Sequence, residues 1–268
     1  MPNYVPLSKS RHREAGLVPA GYDYALQQAV VPVAAEELPQ VLPTMAVAFI
    51  SNTSGDGYQL VALQSLQAGV NVYVHTNGRW IGGYRPAWYR AHPFRLMQEE
   101  QQQRTVVCID EDSKAFEAEA DDSAARLFDD EGEPTDRTRS TVKFLEQLQK
   151  ATNVTQALVG QLAEAGVVVP WPLKVKPQDG GDDQEVKGLF HIDEAALKAL
   201  APDTLSLLAA SGALSVAYSQ LLSEHRLQGL SRLYHLRTTA NRQQQTADDV
   251  DLEDLFGDDD DDDLSFNF

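Results

Sequence analysis

The stretch AVAFISNTSGDGYQLVAL, residues 46–63, reads as strand, turn, strand. Residues 46–50 form a short apolar run, residues 52–57 collect Asn, Gly and Asp, and residues 58–63 are mostly apolar again. Side chains of the first and last kind fit a pleated, half-buried surface, and the polar cluster between them favours a reversal of the chain. Working outward, residues 72–74 and 79–81 flank Thr76-Asn77-Gly78, whose Asn-Gly pair suits a tight hairpin turn. Residues 105–109, Thr-Val-Val-Cys-Ile, read as one more buried strand. Together these segments predict an α+β protein, with an antiparallel sheet of at least five strands in a single layer against packed helices.

Helical periodicity begins farther along. Val142, Leu145, Leu148, Val154, Leu158 and Leu162 recur mostly at steps of three and four, which predicts an amphipathic helix over residues 141–165 that stops at Gly166. Residues 167–175 and 185–192 flank Asp179-Gly180-Gly181-Asp182 and predict a further hairpin. Asp193 and Asp203 are placed to cap short helices. A last helix is predicted from residue 211 or 212 to Leu236, with Leu214, Ala217, Tyr218, Leu221, Leu222 and Leu227 as its apolar stripe. Residues 1–45, rich in proline, read as an extended segment wrapping over the body with Tyr22 and Tyr24 as anchors. The ordered body is expected over residues 1–238. Residues 239–268, acidic and poor in apolar side chains, are expected to form a disordered tail.

The net charge of −18 is unevenly placed. Residues 248–268 hold eleven acids and no base, which leaves −7 on the rest, 29 acids against 22 bases. A mildly acidic body lacks the basic footprint that nonspecific nucleic-acid or anionic-membrane binding requires. No stretch approaches the roughly twenty apolar residues that span a bilayer. The polar opening residues do not resemble a secretory signal, so the expected location is the cytoplasm.

Cys108 is the single cysteine, which rules out an intrachain disulfide, and its apolar neighbours suit a packed thiol. As a nucleophile it would need His75 or His92 beside it. The six histidines form no HExxH, no HxH and no pair at helical spacing, so neither a metal site nor a cofactor is expected. Asp110-Glu111-Asp112 and Asp129-Asp130-Glu131-Gly132-Glu133 invite a cation reading. Neither has the alternating acids, sixth-position Gly and twelfth-position Glu of an EF-hand, and solvated turns account for both. Gly55-Asp56-Gly57 and Gly82-Gly83 fit turns and lack the spacing of a phosphate-binding loop. No catalytic residue is nominated.

Residues 72–97 hold two Trp, three Tyr and a Phe in a chain only 8% aromatic. Pro86 suits the start of a short helix, and Pro93 its end by His92. One reading of the block is local packing. The other is a contact surface or groove for a protein or peptide, because Trp, Tyr and Arg carry most of the energy at interfaces. Its candidate binding residues are Trp80, Tyr84, Arg85, Trp88, Tyr89, Arg90 and Phe94, with Arg85, Arg90 and Arg95 as a local basic patch. At the far end, six Asp precede Leu264-Ser265-Phe266-Asn267-Phe268. That form suggests a docking peptide for a basic partner, anchored by Leu264, Phe266 and Phe268.

GRWIGGYRPAWYRAHPF at residues 78–94, VVCIDEDS at 106–113, LFDDEGEPT at 127–135, the opening MPNYVPLSKSRH and VVPVAAEELP at 30–39 resemble segments of the bacterial SapC family. The likeness runs from Met1 to about Leu227. The resemblance implies a tie to a paracrystalline surface layer or to outer-membrane uptake systems, since members are said to be encoded beside outer-membrane receptors and flavin-dependent halogenase-like enzymes. It implies no catalytic motif. The expectation is a non-catalytic accessory protein that binds a protein or peptide partner, from the cytoplasmic side. One alternative is an enzyme or enzyme subunit modifying a peptide or small molecule, with Cys108, His75, His92 and the acidic loops as its reactive groups. Another is a nucleic-acid mimic or single-strand accessory protein using the acidic tail.

Overall fold

The computed structural model describes residues 2–52, 55, 57–99, 104–121, 124–175 and 184–248. Its larger sheet has five strands in the order Val168–Pro170, Leu189–Ile192, Val47–Ser51, Tyr58–Leu63, Val30–Pro32, every neighbouring pair antiparallel. The central pair is the one the sequence predicts. Val47 stands opposite Ala62 and Ser51 opposite Tyr58, and the Asn52 N–H donates to the Gly57 carbonyl at 2.8 Å to close the turn. Val47, Ala48, Phe49, Leu60, Val61, Ala62 and Leu63 are all buried. Consecutive buried residues, instead of alternating ones, mean that both faces of this pair are covered, because successive side chains point to opposite sides. Burial of that many aliphatic side chains is the main favourable term holding the body together.

The single-layer expectation needs correction. The Cys108 strand, Arg104–Asp110, lies in a separate three-stranded sheet between Tyr4–Pro6 and Phe94–Glu99. The sequence pattern does not mark its neighbour Phe94–Glu99 as a strand. It has a second core of its own, in which Phe94 and Ile109 pack with Leu127, Phe128 and Leu145. The 72–81 hairpin shrinks to a single bridge between Val74 and Trp80, with Gly78 at a φ of 79° in the turn. Asn71 interrupts the ladder there, because its side-chain oxygen takes the Tyr73 N–H at 2.9 Å.

The N-terminal segment wraps the body by strand addition. It supplies an edge strand to each of these sheets, Tyr4–Pro6 to one and Val30–Pro32 to the other. Between them Gly16–Leu17 pairs with Phe116–Glu117 and Ala125–Arg126. Tyr22 and Tyr24 pack against the main core as partly buried anchors.

The long helix, Asp136–Glu164, starts at Thr135, whose hydroxyl accepts the Thr138 N–H at 3.3 Å. It ends before Gly166, which takes a φ of 71° that a side chain would resist. Asp193 caps its helix as expected, accepting from Ala196 N–H at 3.0 Å. Asp203 sits inside the first turn of Pro202–Ser211, where its charge favours the helix N-terminus, and Ala201 takes the cap position.

The predicted last helix is divided. Ala213–Ser223 and Leu227–Asp248 are separate, joined by a 3₁₀ turn at Glu224–Arg226. Its buried face is also different, for Leu222 is 67% exposed and Tyr218 41%, whereas Gln220 and Ser223 are fully buried. Pairing between Leu189–Ile192 and Val47–Ser51 covers only Ile50 and Phe49. Beyond it, backbone groups need other partners, and the helix provides them. Ser223 Oγ accepts from Val47 N–H at 2.9 Å, and Gln220 Oε1 accepts from Ile192 N–H at 2.9 Å. Helix Leu227–Asp248 continues ten residues past the expected end of the body at 238. Residues 249–268, with Leu264, Phe266 and Phe268, lie outside the described residues, as does the turn at 179–182. Among the described residues no single helix is long and apolar enough to cross a membrane.

Candidate functional site

The aromatic block divides between core and surface. Tyr89 and Phe94 are each 2% exposed and belong to the two cores. Trp80, Tyr84 and Trp88 are half-buried, and Arg85 and Arg90 are exposed. Trp80 packs against Tyr22, Tyr73 and Tyr89 at centroid distances of 5.8, 5.9 and 5.4 Å. The segment is pinned by buried Glu37. One carboxylate oxygen of Glu37 accepts from the Tyr84 hydroxyl at 2.8 Å and from Ala87 N–H at 2.6 Å, and the other accepts from Ala34 N–H at 3.0 Å. Sequence reasoning missed Glu37, whose place in an acidic pair gives no sign of burial.

Three of the block's four arginines, Arg85, Arg90 and Arg95, lie over rings. Arg85 covers Tyr22 at 5.4 Å and donates to its hydroxyl, Arg90 covers Phe144 at 5.2 Å and Tyr84 at 5.9 Å, and Arg95 covers Trp88 at 4.0 Å. No ion pair to any of the three is found among the described residues. Burial pushes the Arg95 guanidinium below its ordinary pKa, opposed by the nearby Tyr4, Tyr24 and Asp110. Arg85, Trp88 and Arg90, with Tyr22 and Tyr84, therefore make a surface of rings and cations.

Beside this surface is a cleft of about 420 Å³. The N-terminal segment gives it Ala20, Gly21, Asp23 and Tyr24. His92 enters from the end of the aromatic block, and Asp110, Asp112, Ser113 and Lys114 from the loop after the Cys108 strand. His92 stacks on Tyr24 with centroids 3.6 Å apart, and its Nε2 is 2.8 Å from Ser113 Oγ. Burial holds the imidazole down at a pKa of about 4, helped by Arg95 and opposed by Asp110. The ring is thus neutral at physiological pH, and its Nε2 can accept the Ser113 proton. Asp110 is 5% exposed; its Oδ1 accepts from Asn3 N–H at 2.7 Å and Asp112 N–H at 3.2 Å. Its second oxygen takes no donor from the described residues and is open to solvent, for it is not among the buried atoms left without a partner.

The other reactive groups stay apart. His75 is exposed in its turn, where Nδ1 accepts from Asn77 N–H at 3.2 Å. Cys108 is 3% exposed opposite Arg95 in the sheet, and burial pushes its thiol up, the reverse of an activated nucleophile. The 129–133 acids form a local turn in which Asp129 Oδ1 accepts from Glu133 N–H at 2.7 Å. Among the described residues no three His, Cys, Asp or Glu side chains are grouped to hold a metal. Sequence reasoning named His92 and the first acidic loop but did not join them, because the strand pair that brings them together begins at the unread strand Phe94–Glu99.

Half of the cleft's lining, Pro2, His92, Asp110, Asp112 and Ser113, comes from three of the five stretches quoted for the family resemblance, and Ala20, Gly21, Asp23, Tyr24 and Lys114 lie outside them. No curated protein and no solved structure matches the chain. The family model described as SapC matches residues 7–230, so the chain belongs to the SapC family.

Proposed function

We propose that the protein acts by binding a protein or peptide partner and not by turnover, with the ring-and-cation surface as its contact face. The observation that supports this is the placement of Arg85 and Arg90, exposed, laid on aromatic rings and without a carboxylate partner among the described residues. Guanidinium groups preordered on rings keep donors free for a partner and lose little side-chain entropy on binding. Tyr89 and Phe94 leave the set of contact residues because they are interior, and Tyr22 joins it. The link to a surface layer or an outer-membrane uptake system comes from the family alone and is part of the same proposal, as is a cytoplasmic location. Arg85→Ala with Arg90→Ala, in a full-length chain whose circular dichroism is unchanged, is expected to abolish recovery of a specific partner from native cells. Recovery of the same partners in the same amounts would overturn the reading.

A second reading keeps one observation in its favour. The Ser113–His92 contact and the acidic loop do meet in one cleft, which is what an enzyme acting on a small molecule would need. Against it stand the low basicity of His92 and the absence of the other reactive groups, Cys108 and His75, from the cleft's lining.

A further inference from the structure

We propose that the cleft beside His92 is a binding site for a primary ammonium group, carried by a small amine or by the N-terminus of a peptide, with the buried Asp110 carboxylate as its anchor. The inference is independent of the partner-binding face, which shares none of the residues it uses.

Asp110 carries the argument. It is nine-tenths buried and lines the cleft, yet only Oδ1 is engaged, by two backbone N–H groups that fix the carboxylate in place. Oδ2 is left without a donor among the described residues. Oδ2 is not among the side-chain atoms shut off from water without a partner, so it is open to solvent, and a charged donor in the cleft can replace that water at a carboxylate whose surroundings are otherwise enclosed. Nor does a cation of the fold already serve it. Arg95 is near enough to be felt electrostatically but is directed at Trp88 and the Phe94 carbonyl, to which it donates at 2.8 Å. Lys114 pairs with Asp23 at 3.3 Å at the mouth.

The remaining walls select for a cation and for its shape. Asp23 and Asp112 add two carboxylates against the single Lys114, and His92 contributes no charge at neutral pH. Ser113 Oγ, already taking the Ala115 N–H at 3.1 Å, offers a further lone pair. An ammonium has three donors for Asp110 Oδ2, Ser113 Oγ and water, whereas a metal ion would need more ligands than converge there. The Tyr24 and His92 rings give an apolar side suited to the carbon chain behind the nitrogen. A volume of about 420 Å³ is enough for a short amine or the first residues of an extended peptide.

The test is calorimetric titration of the full-length chain with 1,4-diaminobutane, with triglycine amide, and with N-acetyl triglycine amide. Binding is expected for at least one of the first two and not for the acetylated peptide. Saturation by the diamine alone assigns the site to small amines, and by the free peptide alone to a peptide N-terminus. Asp110→Asn keeps an oxygen for the Asn3 and Asp112 N–H groups while removing the charge, and should weaken binding by about tenfold or more. Ala20→Trp, at an exposed position on the rim, should block the cleft without touching its acids. Arg85→Ala with Arg90→Ala should leave amine binding intact, which separates this site from the partner face. No heat with either ammonium probe, equal binding of the acetylated peptide, or unchanged affinity in folded Asp110→Asn would each overturn the proposal.

Discussion

Tyr24 lies flat on His92, ring planes 14° from parallel, and its hydroxyl reaches past the imidazole to donate to the Tyr89 carbonyl at 3.1 Å. One N-terminal side chain thus covers the cleft histidine and ties the wrapping segment to the core. Tyr24→Phe keeps the stack and loses one neutral hydrogen bond, so it should lower stability by about 1 kcal/mol. Tyr24→Ala removes the ring as well and should cost roughly 2–3 kcal/mol. Urea denaturation of the two variants against wild type checks the difference.

His92 makes stability depend on pH in one window. Its folded pKa of about 4 lies below the ordinary value of 6.5, so between them the unfolded chain binds a proton that the folded chain refuses. The contribution is complete above pH 6.5 and is lost as the pH falls towards 4. Partial exposure of the ring reduces the effect to roughly 1–2 kcal/mol. His92→Gln should flatten the slope between pH 6.5 and pH 4.5 relative to wild type, and parallel slopes in chemical denaturation would contradict the assignment.

Gln220 and Leu222 reverse the usual expectation for a helix near a core. Gln220→Leu leaves the Ile192 N–H buried without an acceptor and should destabilise by about 1–3 kcal/mol. Leu222→Ser, at a position 67% exposed, should change stability by less than about 0.5 kcal/mol. Thermal melts of the pair decide it.

Gly78 joins the turn to the wrapping segment. Its carbonyl accepts from Tyr22 N–H at 2.7 Å, and a Cβ there would sit 2.8 Å from Asp23 Oδ1 at a φ of 79°. The Asp23 side chain can move, but the backbone strain remains, so Gly78→Ala should cost about 1–2 kcal/mol. Because Asp23 also lines the cleft, the same variant should loosen ammonium binding, which calorimetry would register.

Local signals explain what was legible. Residues 46–63 and 141–166 carry their own periodicity and turn chemistry, and the strand pair and the helix form there, although the helix starts earlier, at Asp136, and leaves Val154 of the expected stripe 55% exposed. Phe94–Glu99 was invisible because Arg95 and Gln98 sit among its apolar residues and Arg95 is held by Trp88, a contact made across the fold. The apolar stripe of residues 214–227 misled for the opposite reason. Hydropathy assigns Leu222 to the interior, whereas the unpaired backbone at Val47 and Ile192 calls Gln220 and Ser223 there instead. Of the candidate surface, the residue types were readable, but which of them face outward depended on Glu37 and Tyr22, far away in sequence. The cleft depends on contacts such as Asn3 to Asp110, separated by 107 positions, which no local pattern encodes.

The strands Tyr4–Pro6 and Val30–Pro32 close the outer margins of Arg104–Asp110 and Tyr58–Leu63. Until those early residues return to meet partners synthesised later, both margins offer unpaired N–H and C=O groups to any neighbouring polypeptide. A chain shortened by its first 33 residues would therefore be prone to self-association, with fibrillar or amorphous deposits in place of a merely weakened monomer.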